Sequence, residues 1–428
     1  MHRRNFMKCM VGGSVLSLAA LSEANADIYR SIAELNQDYL QDQAPDGAYW
    51  DALSKHFLFE DNLIMMNNGT MGPLPAPVFN TLMKYYKYQA TNPFECYNYY
   101  SSGKGAIRNN LAGFIGADPD EVAINRNTTE GMNLIASGLD LKKGDEVLLS
   151  SYEHAAGTHP WKMKEKRFGI KITEVPFGAP PKDVAEIVNA FEQAITKRTK
   201  VISISHTVYI TGLISPLKEL SELAHKHDIF IVVDSAHGVG MLDLNMKELG
   251  VDAFTSSPYK WLGAPMGCGV LYVRKEVQDQ VWPSIASSGW DRAGASKFET
   301  LGQRADPLFY ALGEAMEFQK KIGKSRIARR ISTLAAYLKR GLASIDKVRV
   351  HTNSDPYLSA GLTAFSIEGV ERQAIVNYLL EKYNLVIRTI GSTSDNTAGV
   401  RVSTHIFVSF KDIDVLLEGV SRLARNGA

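Results

Sequence analysis

The chain has 428 residues, 45% of them apolar, with 47 Lys and Arg against 46 Asp and Glu for a formal net charge of +1. That length and apolar content are enough for two compact units, each with its own core. The near-neutral balance, with no basic run interleaved with aromatics after the first ten residues, gives no electrostatic footprint for nucleic acid, so no nucleic-acid partner is expected.

In chain order, residues 1–26 read first as an export leader. Arg3 and Arg4 precede Asn5, Phe6, Met7 and Lys8, a weakly apolar stretch follows over 10–21, and Ala24-Asn25-Ala26 has the small-residue pattern of a cleavage site. Paired arginines ahead of a moderately apolar, Gly-containing core resemble a bacterial twin-arginine signal, which predicts a periplasmic protein cut after Ala26. No later run approaches membrane-spanning length, so no membrane association is expected after cleavage. Cys9 lies in the leader, and Cys96 and Cys268 are too few for a disulfide framework. No Cys/His cluster has the spacing of a metal site.

Residues 27–64 carry no strong period and are expected to pack as helices on a C-terminal unit. From 121 to 273, short β-branched runs alternate with helical patterns, the signature of a mostly parallel sheet between helices. Seven strands are expected, at 122–125, 146–151, 172–177, 201–206, 229–234, 253–257 and 269–273. Leu217, Leu220, Leu223 and Ala224 share one face of an amphipathic helix over 217–227. Segments 92–102 and 284–294 read as loops. After Pro307, helical stretches at 308–322 and 325–345 precede strands near 361–367, 386–389 and 400–403. The expectation is an α/β chain with a large domain over 65–306 and a smaller α/β domain over 307–428.

In open α/β sheets ligands gather at the carboxyl ends of the strands, so His206, Asp234 and the segment after Ser257 should face one crevice. Lys260 sits in SPYKWLGAPMGCGVLYV, among small residues in a loop between two strands. A lysine nucleophile needs a lowered pKa or a carbonyl cofactor to form an imine with it. Asp234 ends the apolar run IFIVVD, where a carboxylate is costly unless it meets a cation such as a protonated pyridine nitrogen; its alternative is to cap the helix that follows. NTTEGMN follows a strand and opens a helix, so Asn127, Thr128 and Thr129 offer N–H groups and hydroxyls to a phosphate, or merely a capping box from Thr to Glu. Ser257 is a further phosphate candidate. His154, in YEHAAGTHPW, is placed to stack on an aromatic ring and share in proton transfer.

These motifs, in this order, resemble the class V aminotransferase group of fold-type I enzymes that use pyridoxal 5'-phosphate (PLP). MNNGTMGPLP, TGLISP and KFETLGQRADP are most similar to the isopenicillin-N-epimerase-like branch, with cysteine desulfurases and selenocysteine lyases more distant. The resemblance implies that Lys260 carries PLP as a Schiff base, that Asp234 pairs with the ring nitrogen and that His154 stacks on the ring. It implies that His237 and Tyr209 approach the 3-hydroxyl, that Thr128, Thr129, Ser257 and Tyr259 contact the phosphate, and that Arg401, in RVSTHIF, grips a substrate carboxylate. It also implies a homodimer with shared active sites, in which Gln303 of the pair Gly302-Gln303 reaches the partner's phosphate. Desulfurases place a nucleophilic cysteine shortly after the arginine-threonine that matches Arg388-Thr389, but IGSTSDNTAG has none, so persulfide chemistry is not expected. The expected function is therefore α-carbon chemistry on an amino acid or amino-acid-containing compound, as an epimerase or an aminotransferase. The alternatives are an exported lyase or peptide- or siderophore-tailoring enzyme, and a binding protein without turnover.

Overall fold

The computed structural model describes residues 18–40, 46–391 and 398–427. Arg3, Arg4 and the leader up to residue 17 lie outside the described residues. Residues 18–26 begin the helix Leu18–Leu40, where the Asn25 amide donates to the Pro77 carbonyl and to Thr81 Oγ1, both at 3.1 Å. This helix thereby lies against the helix Ala76–Thr91.

Thirteen strands are formed by the described residues: β1 (Ile64–Met65), β2 (Val122–Asn125), β3 (Glu146–Ser150), β4 (Lys171–Val175), β5 (Thr199–Ser205), β6 (Phe230–Asp234), β7 (Ala253–Ser256), β8 (Gly269–Val273), β9 (Val348–Val350), β10 (Leu362–Ile367), β11 (Leu385–Val386), β12 (Arg388–Ile390) and β13 (Gly399–Ser403). Seven of them make one sheet in the order β2-β8-β7-β6-β5-β3-β4. From β7 to β4 every pairing is parallel, and β8 alone runs against its neighbours β7 and β2. Every residue of β3, β6, β7 and β8 is buried, as expected for strands covered on both faces. A second, antiparallel sheet has the order β12-β13-β10-β9, and β1 pairs with β11.

The register sets the site. Asp234, at the end of β6, lies level with Ser205 on β5 and Thr255 on β7. The chain therefore delivers its polar strand ends to one edge of an otherwise apolar sheet. Trp261, one residue past Lys260, is fully buried in the apolar cluster that also holds Trp50, Phe318 and Phe365. Its carbonyl accepts hydrogen bonds from Gln319 Nε2 at 2.8 Å and from His405 Nε2 at 3.0 Å, which fastens the lysine loop to the helix Pro307–Ile322 and to the segment after β13.

Three expectations are corrected. Segment 92–102 is not a loop: Asn92 accepts from the Glu95 N–H and Pro93 follows it, so the residues start the long helix Pro93–Ile115. The stretch ending at Phe177 leaves the sheet at Val175, because Tyr152 Oη donates to the Phe177 carbonyl at 2.7 Å. Strand β9 was not anticipated; its three residues are half-buried or exposed and carry little periodic signal. Segment 284–294 contains no regular element, as read from the sequence.

The helix Thr128–Gly138 is seated on β7 through Gly131, where an added Cβ would lie 2.0 Å from Thr255 Oγ1 and 2.6 Å from Thr255 Cβ. Gly131→Ala is expected to cost about 1–3 kcal/mol through overpacking, read as a lower denaturant midpoint. A variant with the parent's midpoint would show that this contact does not constrain the helix.

Candidate active site

One cavity at the strand ends is lined by Thr128, Thr129, His154, Tyr209, Asp234, His237, Ser257, Tyr259, Lys260 and Arg401, joined by Gly69, Ala156, Ser205, Thr207, Ala236 and Arg388. The separated motifs of the sequence thus meet at one place. Gln303 is not among them: it lines a different surface cavity with Arg126, Gly267 and Arg304. Whatever Gln303 contacts, it is not the lysine of its own chain.

Lys260 is held by its surroundings more than by direct bonds. Glycine is required nearby, since a Cβ on Gly72 would lie 2.2 Å from the Lys260 carbonyl oxygen. Burial lowers the Lys260 amine to about 8, Asp234 opposes that shift, and Arg401 and Arg388 reinforce it. Its Nζ lies 3.5 Å from His237 Nε2. On the other side of that ring, Trp261 Nε1 donates to His237 Nδ1 at 3.1 Å. An indole N–H only donates, so Nδ1 must accept. Burial holds His237 well below its usual range, so the ring is neutral with its proton on Nε2, facing the lone pair of a free Lys260 amine.

Asp234 does not cap a helix. Its Oδ1 accepts from the Ala236 N–H at 3.0 Å, no helix follows directly, and burial raises its carboxyl pKa. No ion pair to it is found among the described residues, which leaves a buried carboxylate ready for an incoming cation. His154 caps the helix Ala155–Phe168 by accepting from the Ala156 N–H at Nδ1, and burial lowers its pKa. Its proton therefore sits on Nε2, and its ring meets Tyr209 edge to face at 4.9 Å.

The start of the helix Thr128–Gly138 also differs from a Thr-to-Glu capping box, because Asn127 is the cap and accepts from the Glu130 N–H at 2.9 Å. Thr128 is thereby freed to meet Ser257, whose Oγ lies 2.8 Å from Thr128 Oγ1 and accepts from the Thr128 N–H at 3.1 Å. Glu130, which would repel an anion at this terminus, is turned onto the Arg126 guanidinium. The result is a hydroxyl-rich helix N-terminus suited to a phosphate.

Arg401 lines the cavity and is buried. Its Nη1 donates to the Tyr209 carbonyl at 2.9 Å, while its Nε is buried without a partner. Tyr209 thus contributes a carbonyl to Arg401 and a ring to His154. Neither cysteine takes part: Cys96 and Cys268 are buried and free, and burial raises the Cys268 thiol to about 12 as it donates to the Leu308 carbonyl. Segment 392–397, where the sequence lacks a cysteine, lies outside the described residues.

Sequence reasoning passed over Thr207, whose buried Oγ1 has no partner, and Glu153, whose carboxylate accepts from Ser150 and Ser205 beside Asp234. Burial raises Glu153 to about 7. Its only signal was adjacency to His154.

The family model for class-V aminotransferases matches residues 65–416. The isopenicillin N epimerase of Streptomyces clavuligerus is 28% identical over 396 residues, covering 88% of this chain and 98% of its own length. A probable cysteine desulfurase of Halalkalibacterium halodurans is 27% identical over 386 residues, 84% of this chain and 93% of that protein. Among solved structures, the cystine C-S lyase C-DES with its product cysteine persulfide superposes with a TM-score of 0.77 at 26% identity, covering 86% of this chain and 99% of that one. A C-DES mutant with glycine covalently linked to its PLP cofactor has the same TM-score at 25% identity, covering 89% and 99%.

In the cofactor-free chain, reductive methylation with carbon-13 should give a dimethyl-lysine resonance, absent in Lys260→Ala, that loses its charge as pH rises through about 8. A midpoint above 10 for that resonance would contradict the lowered pKa.

Proposed function

The chain belongs to the class-V aminotransferase family, whose members are PLP-dependent enzymes, and from that premise we propose that it acts at the α-carbon of an amino acid or amino-acid-containing compound, as an epimerase or an aminotransferase. The observation that carries this reading is the free-amine setting of Lys260, opposite Asp234 and beside a neutral His237. The residues fit PLP. Asp234 is a buried carboxylate without a cation, Thr207 Oγ1 and Arg401 Nε are buried donors without acceptors, and the helix at Thr128 offers hydroxyls to an anion.

In this reading Lys260 would hold the cofactor covalently, Asp234 would pair with its ring nitrogen, His154 would meet its ring, and His237 and Tyr209 would serve its 3-hydroxyl. Thr128, Thr129, Ser257 and Tyr259 hold the phosphate. When bound, the cofactor supplies a sink for the electron pair left on the α-carbon. Arg401 takes the substrate α-carboxylate with its unpartnered Nε and so orients the α-hydrogen. Lys260 Nζ, lowered by burial to about 8, accepts that proton and returns it; His154 Nε2–H and His237 Nε2–H keep neutral donors at the cavity wall without adding charge. Return of the proton by the chain's own donors to the opposite face of the α-carbon would give epimerisation, and failure to return it to that carbon would leave transamination as the outcome.

A lyase acting at a β-substituent is the second reading, favoured by the similarity to the cystine lyase C-DES. A desulfurase reading is disfavoured, since no cysteine lines the cavity and the Cys268 thiol is held protonated. We further propose a homodimer in which Gln303 serves the partner's site, and export through the arginine-led leader with cleavage after Ala26.

In deuterium oxide the PLP-loaded protein should exchange the α-hydrogen of an L-amino acid substrate, and Lys260→Ala should slow that exchange by roughly 10²–10⁴-fold. Exchange with no amino acid, or unimpaired exchange in Lys260→Ala, would contradict the assignment.

A further inference from the structure

Arg388 has no role in the function proposed above, yet it lines the same cavity. It stands directly across from Arg401 in the antiparallel pair of β12 and β13. Like charges in that position destabilise a sheet. Here the repulsion acts inside the protein: Arg401 is 1% exposed, and burial followed by Arg388 lowers its guanidinium to about 9.

Nothing in the described chain relieves this. Thr70 Oγ1 accepts from Arg388 Nη1 at 3.2 Å and from Arg401 Nη2 at 3.4 Å, but a hydroxyl brings no negative charge. Arg388 Nε is spent on the Thr389 carbonyl, and its Nη2 has no hydrogen bond among the described residues. Among the described residues Asp234 is the only acidic one lining the cavity, and it faces Lys260 and His154. Two guanidinium groups, Arg388 and Arg401, and a lysine amine lowered by burial therefore share the space with one carboxylate among the described residues. A substrate α-carboxylate on Arg401 leaves the half-buried Arg388 guanidinium facing the cavity without a counter-charge among the described residues.

We infer that the substrate carries a second anionic group, which Arg388 holds beside the α-carboxylate on Arg401. This rests on the proposed action at the α-carbon. Since both guanidinium groups reach one Thr70 oxygen, the two anionic groups are separated by few bonds, as in an acidic amino acid or a compound built on one. Arg388 is then the residue that separates diacids from neutral amino acids of the same length.

The test compares glutarate with valerate, which has the same five carbons and one carboxylate fewer, by calorimetry on the PLP-loaded full chain. Glutarate should bind on the order of tenfold more tightly. In Arg388→Gln the ratio should fall toward one, and Arg388→Lys, which retains charge without the fork, should keep part of the preference. Equal affinity for the two ligands in the parent overturns the inference. So does equal weakening of both in Arg388→Gln, since both arginines would then grip one carboxylate. Should Arg388→Gln not fold, the parent ratio and Arg388→Lys still decide. The proposed function is separated by α-hydrogen exchange: exchange of norvaline as fast as glutamate overturns only the second-anion site. A glutarate preference with no exchange from any amino acid supports that site and contradicts the function.

Discussion

The rest of the site depends on one arrangement: an amine and a carboxylate share a buried cavity without forming an ion pair. Lys260 and Asp234 are near enough to influence each other, since each opposes the shift that burial imposes on the other. Burial still prevails for both, raising the Asp234 carboxyl and lowering the Lys260 amine. A direct salt bridge would have fixed the lysine as an ammonium and closed the cavity. Kept apart, the carboxylate remains available to a ring cation and the amine to a carbonyl or a proton. The fold enforces this separation through rigid parts. Asp234 is locked in register between Ser205 and Thr255, and the lysine loop is anchored by Trp261, whose carbonyl and indole N–H are both committed.

Trp261 couples packing to chemistry. Its indole N–H dictates the tautomer of His237, and that tautomer presents a proton, not a lone pair, to Lys260. A side chain that contributes chiefly apolar bulk to the core thereby decides which protonation state of the lysine is comfortable. The two arginines act in the same direction, because their field also lowers Lys260, His154 and His237. An anionic substrate quenches that field on arrival and so changes the proton affinity of the groups that await it.

Much of this was legible in the sequence, for identifiable reasons. The buried strands are rich in apolar residues that only a two-sided sheet can bury, so β2, β6, β7 and β8 stood out. The rule that ligands gather at strand ends brought Asp234, Ser257 and Lys260 to one crevice, whereas His206, expected there with them, turns its Nδ1 to Ser235 Oγ and does not line the cavity. Local competition between caps was harder to read: Asn127, Thr128 and Thr129 are all plausible caps, and only the Ser257 hydroxyl across the sheet shows why Asn127 prevails. The helix Pro93–Ile115 was missed because its first turns are rich in Tyr, Asn and Ser with no clean apolar stripe. Arg388 was seen only as a landmark for an absent cysteine, because cross-strand register with Arg401 is a long-range fact that spacing along the chain does not carry. Glu153 was missed for the same reason, its partner Ser205 being 52 residues away.

The central claim is that Lys260, among the lysines of this chain, is the one that takes the cofactor. Borohydride reduction of the PLP-loaded protein, followed by proteolysis and mass spectrometry of the peptides, tests it most directly. The reduced cofactor mass is expected on the peptide containing Ser257, Tyr259 and Lys260. The mass on a peptide from any other lysine, or on none, would contradict it.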